Sequence, residues 1–177
     1  QGVKTNNRTA LQWFRKAADQ GEIKAQECLA YAYDVGIGTS KNAKKAFYWY
    51  EKAAHAGSEY GQNNLGRCLR RGTGAKKDPK AAIKWFRKAA DHNSTRAYTN
   101  LGFSYAKGEG VRKKQKTAIH WYRKAAKAGD PDAQRYLSVC YGDGHGVPKS
   151  PRWHKYWLKK AAEQGHKKAK AELKKQS

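Results

Sequence analysis

The hydrophobic and polar positions of the chain repeat with a fixed period of 36 residues. An alanine pair, a leucine and a pair of glycines recur at this step, with no insertion between one unit and the next. A unit of constant length copied in this way is typical of repeat proteins, in which each unit buries its apolar face against its neighbours. The clearest marker of the period is a tryptophan, found at Trp13, Trp49, Trp85, Trp121 and Trp157.

Each unit carries two apolar stripes with helical spacing. In residues 95–130, the first stripe has apolar residues four apart, and a glycine-rich segment that favours a helix end follows it. A second stripe then begins and stops at Gly129. The first stripe contains Ala97, Leu101 and Tyr105, and the second contains Ala118, Trp121, Tyr122, Ala125 and Ala126. Each unit is therefore predicted to be a pair of α-helices.

The residues at the predicted helix ends agree with this division. A short polar side chain just before the first helical residue, often a proline, is a typical helix start. The residues expected to act in this way are Asn42, Asp78, Asp130 and Ser150. Each second helix is expected to end at a residue with positive φ, a conformation that suits glycine and asparagine. The residues in this column are Gly21, Gly57, Asn93, Gly129 and Gly165.

The small and large apolar residues have different expected tasks. The alanine pairs allow neighbouring helices to approach closely, and the tryptophan one turn earlier fills the wider gap between units. We therefore expect all five tryptophans of the 36-residue column to lie in the core. Trp153 falls outside the column and is expected to be partly exposed.

The repeat frame divides a single solenoid of residues 1–177 into successive pieces. Gly2-Val3 aligns with Gly110-Val111, so we expect the chain to open inside a connector, with further sequence upstream. The predicted pieces are a second helix of a truncated unit (1–22), four full repeats (23–58, 59–94, 95–130 and 131–166) and a C-terminal helix stub (167–177).

These motifs resemble those of the Sel-one-like repeat (SLR) family, which is related to the tetratricopeptide repeats. The family pattern A-x-x-x-L-G-x-x-Y-x-x-G-x-G-V appears from Ala97 to Val111, and K-A-x-x-W-Y-x-K-A-A-x-x-G appears from Ala118 to Gly129, with Thr117 departing from it. The resemblance implies an all-α fold, a right-handed α/α superhelical solenoid of 36-residue helix-pair repeats. It also implies that the first helices line a concave face.

The resemblance implies protein-interaction work, as in adaptors, assembly factors, bacterial periplasmic or secreted binding proteins and immunity proteins. A cysteine-rich branch of the family staples each helix pair with two cysteines. This chain departs from that branch, because its three cysteines leave at least one unpaired. We expect a monomer, and we favour a periplasmic or secreted location over a cytoplasmic one.

Residues typical of catalysis or of metal binding do not form a recognised motif. The six histidines are scattered, with no H-E-x-x-H pair and no Cys-x-x-Cys spacing. The connector from Gly72 to Lys77 resembles a phosphate-binding loop only faintly, and it recurs in every unit. We therefore predict no catalytic residues, no metal site, no cofactor and no enzymatic activity.

The charge is the unusual feature of the composition. Lysine and arginine number 38 against 14 acidic residues, which gives a net charge of +24 and favours anionic partners. One basic column contains Lys16, Lys52, Lys88, Lys124 and Lys160. This column is interpreted either as a solvated outer face or as an electrostatic steering surface. A nucleic acid is the less favoured partner, because the aromatic residues fall mainly in packing columns.

The predicted partner-binding site is the concave face formed by the first helices. Its positions off the Ala/Leu stripe vary between units and include aromatic, arginine and asparagine residues, which suit an acidic peptide or domain. The asparagines could instead satisfy neighbouring backbone, and the arginines could form a solvated helix end. The predicted residues are Tyr31, Asn64, Arg67, Arg70, Arg71, Asn100, Phe103, Lys107, Arg135 and Tyr136.

The function predicted from these features is that of a non-enzymatic scaffold or adaptor that binds an acidic protein or peptide on its concave face. A bacterial inhibitor or immunity protein would be one form of it. The alternative is a basic protein that binds nucleic acid or a phosphate-bearing surface. These two functions differ in how strongly the binding affinity is expected to fall with salt concentration, and the fall is steeper when the partner is a polyanion.

Overall fold

The computed structural model describes residues 6–175, which form ten α-helices and no β-strand. Each helix has 13 residues except the last, which has 8. The helices are α1 (Asn7–Asp19), α2 (Ile23–Val35), α3 (Ala43–His55), α4 (Glu59–Arg71), α5 (Pro79–Asp91), α6 (Thr95–Lys107), α7 (Gln115–Lys127), α8 (Pro131–Asp143), α9 (Pro151–Glu163) and α10 (Lys167–Lys174). The predicted all-α fold of helix-pair repeats is confirmed. The alignment of Gly2-Val3 concerns residues outside the described part.

The predicted helix caps are present. A side-chain oxygen of the residue before the helix accepts a hydrogen bond from a backbone N–H of the first turn, which has no partner within the helix. The acceptors and their distances to the donor nitrogen are Asn42 for α3 (3.0 Å), Asp78 for α5 (2.9 Å), Asp130 for α8 (2.7 Å) and Ser150 for α9 (3.4 Å).

The column of residues after the second helices adopts the expected left-handed conformation. The φ angles are 92° at Gly21, 91° at Gly57, 60° at Asn93, 92° at Gly129 and 83° at Gly165. Asn93 is the one residue other than glycine with positive φ in the described part of the chain. Its Oδ1 accepts a hydrogen bond of 3.0 Å from the hydroxyl of Tyr98, which helps to hold the side chain in place.

A glutamine, which the sequence patterns did not reveal, links each of three first helices (α2, α4 and α8) to the second helix before it. The side-chain amide Nε2 donates to a carbonyl oxygen near the end of that second helix, at a distance of 3.2–3.5 Å. The pairs are Gln26 with Ala18, Gln62 with Ala54, and Gln134 with Ala126. Each of these carbonyl oxygens also accepts a hydrogen bond from the backbone N–H of the glycine that follows the helix, at 3.0–3.2 Å, so the glutamine adds a second hydrogen bond.

The described residues form two compact units, divided between His92 and Asn93. The N-terminal unit contains α1 to α5, and helices that follow one another in the chain pack together. Its core is built from the alanine pairs and from larger apolar side chains, which are wholly or almost wholly buried. The larger members include Leu29, Tyr33, Trp49, Tyr50 and Leu65.

The C-terminal unit contains α6 to α10, again with sequential helices in contact. Leu101, Leu137 and Leu158 are completely buried in it. Gly102 of α6 lies against the ring of Tyr122 in α7, so closely that a Cβ atom at residue 102 would be 2.5 Å from the ring. The absence of a side chain at this position therefore allows the two helices to approach each other.

The tryptophan column is only partly buried. Trp49 is 8% exposed, and Trp85, Trp121 and Trp157 are half-buried, but Trp13 is 66% exposed. The prediction of a core position is therefore wrong for Trp13. The ring of Trp85 meets His55 of the preceding second helix at 5.1 Å, whereas no second helix precedes α1 in the described part of the chain. Trp153 is 43% exposed, as predicted.

We predict that Gly102→Ala destabilises the protein by about 1–3 kcal/mol, because the added methyl group overlaps the Tyr122 ring. Gly142→Ala in α8 is the matched control. Its Cβ would meet Nδ1 of His154 at 3.0 Å, at the limit of tolerated contact, and alanine favours the helix. Urea unfolding followed by circular dichroism measures both. Equal free energies of unfolding for the two variants would contradict the packing argument.

We predict that Asp130→Asn changes stability in a pH-dependent manner. Burial raises the pKa of the Asp130 carboxyl, against the opposing effect of its hydrogen bond from the Ala133 N–H. The folded chain therefore holds this proton more tightly than the unfolded chain. The resulting stabilisation is complete below the unfolded pKa and is lost as the pH rises through the folded pKa.

Asparagine retains the cap without a buried charge. The variant should therefore be at least as stable as the parent at neutral pH and should lose that advantage below about pH 4. The free energies of unfolding of the two proteins, measured across this range, provide the test. A difference that does not change with pH would refute the assignment.

Candidate functional site

Arg67 is held in place within the N-terminal unit. Its guanidinium in α4 forms an ion pair with the carboxylate of Asp34 in α2. The hydroxyl of Tyr50, a completely buried residue in α3, donates to the same carboxylate at 3.3 Å. Burial also raises the pKa of the Tyr50 hydroxyl, which keeps it protonated as a donor. Three helices thus fix the orientation of one predicted arginine.

The other two predicted arginines of α4 have different environments. Arg70 is buried, and its guanidinium carbon lies 5.9 Å from the centre of the Phe86 ring in α5. Arg71 is exposed at the end of the helix. A small cavity of about 100 Å³ lies beside Arg67 and Arg71, and Asp34, Cys68 and Thr73 complete its lining. Of the three arginines of α4, Arg67 and Arg71 therefore border this cavity.

The thiol in this cavity, that of Cys68, is predominantly in its neutral form at neutral pH. Burial raises the pKa of Cys68 to about 11, so the neutral form predominates. The cavity therefore offers cationic guanidinium donors beside the carboxylate of Asp34, and no nucleophile.

Asn64 and Tyr31 complete the predicted positions of the N-terminal unit. Asn64 is buried, and its Nδ2 donates to the carbonyl oxygen of Tyr60 at 2.9 Å. This contact favours the backbone-satisfying interpretation of Asn64. Tyr31 is exposed on α2.

The predicted positions of the C-terminal unit lie on α6 and α8. The rings of Phe103 and Tyr136 are 6.2 Å apart, and Tyr136 stacks on Tyr122 at 5.0 Å. Arg135 forms a 3.4 Å ion pair with Glu172 of α10. The two remaining residues are Asn100, which is half-buried, and Lys107, which is exposed at the end of α6.

A cavity of about 230 Å³ lies between α8 and the start of α10. Arg135 and Tyr136 form one side of it, and Lys167 and Lys168 add two further cationic groups. His166, the cap of α10, also lines the cavity, with its Nε2 3.0 Å from an oxygen of Asp132. An aromatic ring among three cationic side chains suits a ligand that carries both a carboxylate and an apolar group.

The sequence patterns did not predict Asp132, His166, Lys167 and Lys168 as site residues. Lys167 and Lys168 begin the C-terminal stub, where no complete repeat is available for column comparison. His166 falls in the column of helix caps that includes Ser58, Ser94 and Asp130. This repeat position is the one sequence feature that could have indicated His166 at the start of α10.

Four of the five lysines in the column of the second helices lie over aromatic rings. The ammonium groups are 4.5–5.7 Å from ring centres, a distance typical of cation–π contacts. The pairs are Lys16 with Trp13, Lys52 with Tyr48, Lys88 with Trp85, and Lys124 with Trp121. These contacts favour the interpretation of the column as a solvated face whose side chains shield apolar rings.

Residues 6–175 contain neither a membrane-spanning helix nor a group of metal ligands. No helix there has the length and apolar character required to cross a bilayer. No three histidine, cysteine, aspartate or glutamate side chains are placed to hold a metal ion. Cys28, Cys68 and Cys140 are free thiols.

Helix pairs of constant length with charged and aromatic residues on their exposed surfaces define a class of protein-interaction repeats. The family model of the Sel1 repeat matches residues 1–22, 23–58, 59–94, 95–130 and 131–166. The chain belongs to the Sel1 repeat family, which is a non-catalytic protein-interaction fold.

Solved structures show the same relationship. A Sel1 repeat protein from Oxalobacter formigenes is 39% identical with a TM-score of 0.91, over 95% of this chain and 67% of that one. A protective antigen of uropathogenic Escherichia coli with an SLR fold is 31% identical with a TM-score of 0.84, over 96% of this chain and 36% of that one. Cysteine rich protein B of Helicobacter pylori is 30% identical with a TM-score of 0.56, over 75% of this chain and 95% of that one. A search of curated proteins found no match.

We predict that Asp34 and Arg67 are energetically coupled, because each is oriented by the other within a three-helix contact. A double-mutant cycle with Asp34→Ala and Arg67→Ala should give a coupling free energy of about 0.5–3 kcal/mol in urea unfolding. The same cycle at Arg135 and Glu172, which are 3.4 Å apart in the C-terminal unit, should give a smaller value. Additive effects at Asp34 and Arg67 would contradict the anchoring role of the pair.

Proposed function

We propose that this chain is a non-enzymatic scaffold that binds an acidic protein or peptide through the exposed surfaces of its first helices. Two features support the proposal. The Sel1 repeat is a protein-interaction fold, and the net charge of +24 favours association with acidic partners. An inhibitor or immunity protein is the special case in which the captured protein is a toxin. We also propose that the chain acts as a monomer, in the periplasm or outside the cell.

The N-terminal unit would contribute an arginine fork for a carboxylate. Arg71 is exposed beside the cavity, and Arg67 is already oriented by Asp34, so little conformational entropy is lost when a ligand binds. A planar guanidinium can hold a carboxylate through two parallel hydrogen bonds. This unit therefore suits a glutamate or aspartate side chain of the partner.

The C-terminal unit would contribute both an apolar anchor and a positive field. Tyr136, braced by Tyr122 and near Phe103, presents a fixed aromatic surface. Arg135, Lys167 and Lys168 surround the adjacent cavity of about 230 Å³. Tyrosine and arginine are the residue types that most often dominate the affinity of protein interfaces. This cavity is the single observation on which the acidic character of the proposed partner most depends.

We predict that peptides selected by the chain are rich in acidic residues combined with an aromatic or aliphatic residue. A phage-displayed random peptide library, panned on the immobilised chain at about 0.15 M salt, provides the test. Arg71→Gln should weaken binding of a selected acidic peptide by about tenfold, because the guanidinium fork is lost.

Lys80→Gln is the matched control, since it removes the same charge from an exposed position on a second helix of the same unit. It should change the affinity by less than about twofold, because one exposed lysine contributes only through the protein's overall positive charge. Selection of peptides without acidic residues would contradict the proposal. Equal losses in the two variants would show that net charge, and not the first-helix site, determines binding.

A further inference from the structure

A cluster of exposed aromatic side chains lies on α9, a second helix of the C-terminal unit. Trp153 is 43% exposed and Tyr156 is 45% exposed, and their rings are 5.4 Å apart and nearly perpendicular. The half-buried Tyr141 of α8 stacks beside Trp153 at 6.1 Å, with an angle of 30° between the rings. We call Tyr141, Trp153 and Tyr156 the outer aromatic patch.

The packing of α9 explains why these rings face solvent. Leu158, Ala161 and Ala162 are buried, and Nδ1 of His154 lies 3.0 Å from the backbone carbonyl oxygen of Ser138 in α8. These residues define the inner face of α9 at helical spacing. Trp153 and Tyr156 lie on the other side, so they contribute little to the core of the unit.

The position of Trp153 is fixed from outside its own helix. Tyr141 covers one side of the indole, and the Tyr141 hydroxyl accepts a hydrogen bond of 2.9 Å from Nη2 of Arg123 in α7. Three helices of the unit therefore support the patch. A fixed ring loses little entropy when a ligand stacks on it.

The surroundings of the patch are cationic. Arg152, Lys159 and Lys160 lie three or four residues from Tyr156 along α9, so they share its side of the helix. The only acidic residue of α9 is Glu163, the last residue of the helix, and α7 contains no acidic residue. The face thus offers flat rings together with hydrogen-bond donors of positive charge.

This combination matches one class of ligand. A single-stranded nucleic acid alternates flat bases, which stack on aromatic rings, with phosphates, which pair with lysine and arginine. An acidic peptide supplies negative charge and single apolar side chains, as proposed for the first-helix site, but it does not alternate flat groups with charges along its whole length. An amphipathic helix that binds a membrane surface buries a continuous apolar face of tryptophan, phenylalanine and leucine. Helix α9 exposes Trp153 and Tyr156 but no leucine, isoleucine, valine or phenylalanine, so its apolar face is not continuous.

We propose that the outer aromatic patch and its flanking basic residues bind single-stranded nucleic acid without sequence specificity. Bases stack on Trp153 and Tyr156, and phosphates contact Arg152, Lys159 and Lys160. Binding at this patch is independent of the first-helix site, and each can be lost without the other.

The experiment measures fluorescence anisotropy of a labelled oligothymidylate of about 12 nucleotides, titrated with the full chain. The salt concentration is about 0.15 M, where purely electrostatic binding is already weakened. The single strand should bind at least about tenfold more tightly than a duplex of equal length, whose bases are stacked on one another. The double variant Trp153→Ala/Tyr156→Ala should lose at least about tenfold in affinity.

Tyr48→Ala is the matched control. Tyr48 is 48% exposed and occupies in α3 the repeat position that Tyr156 has in α9, but Lys45 stands where α9 has Trp153. The control should bind the oligonucleotide within about twofold of the parent. Trp153→Phe, which keeps a ring, should bind more tightly than Trp153→Ala. The comparison of these two single variants at Trp153 remains informative if the double variant is poorly folded.

Lys159→Gln/Lys160→Gln should lower the dependence of affinity on salt concentration without removing the preference for single strands. Equal binding of the duplex, or unchanged binding by the double variant, would overturn the proposal. It would also be overturned if polyglutamate displaced the oligonucleotide as well as unlabelled polythymidylate does, which would indicate an acidic protein as the partner. Binding to vesicles of anionic lipid without binding to the oligonucleotide would assign the patch to a membrane surface instead.

Discussion

The close approach of a first helix to the second helix that follows it is the interaction on which the rest of this structure depends. Gly66 lies against the ring of Phe86 and Gly102 against the ring of Tyr122, where a Cβ atom would be 2.7 Å and 2.5 Å from the ring. Interiors packed this tightly do not tolerate an additional methyl group. The helix-pair geometry therefore requires a small residue opposite a large one.

This packing also determines which polar groups remain available for function. Several buried polar side chains form hydrogen bonds with the backbone. The Gln26 and Gln62 amides donate to carbonyls of the preceding helix, and the Asn64 amide donates within its own helix. Arg67 forms an ion pair with Asp34 and also borders a cavity. The candidate binding groups are thus the exposed ends of side chains whose stems or partners belong to the scaffold.

The lysine and arginine side chains that give the chain its excess positive charge lie in three different environments. Lysines of the second helices lie over aromatic rings at 4.5–5.7 Å, where they shield apolar surface. Arg135, Lys167 and Lys168 surround a cavity instead, and Arg152, Lys159 and Lys160 flank exposed rings. Composition alone does not distinguish these three environments, although the first indicates a solvated face and the other two suit different kinds of partner.

The sequence by itself determined the features that depend on local chemistry. The 36-residue period, the caps at Asp78 and Asp130, and the left-handed conformation at Asn93 follow from residue types at fixed spacing, because helix ends are specified by a few neighbouring residues. The tertiary structure decided exposure, because burial depends on what packs on each side of a residue. Trp13 and Trp49 share a repeat position, yet only Trp49 is covered by helices on both sides. The adjacent residues Arg70 and Arg71 have the same chemistry, yet one packs on Phe86 and the other reaches solvent.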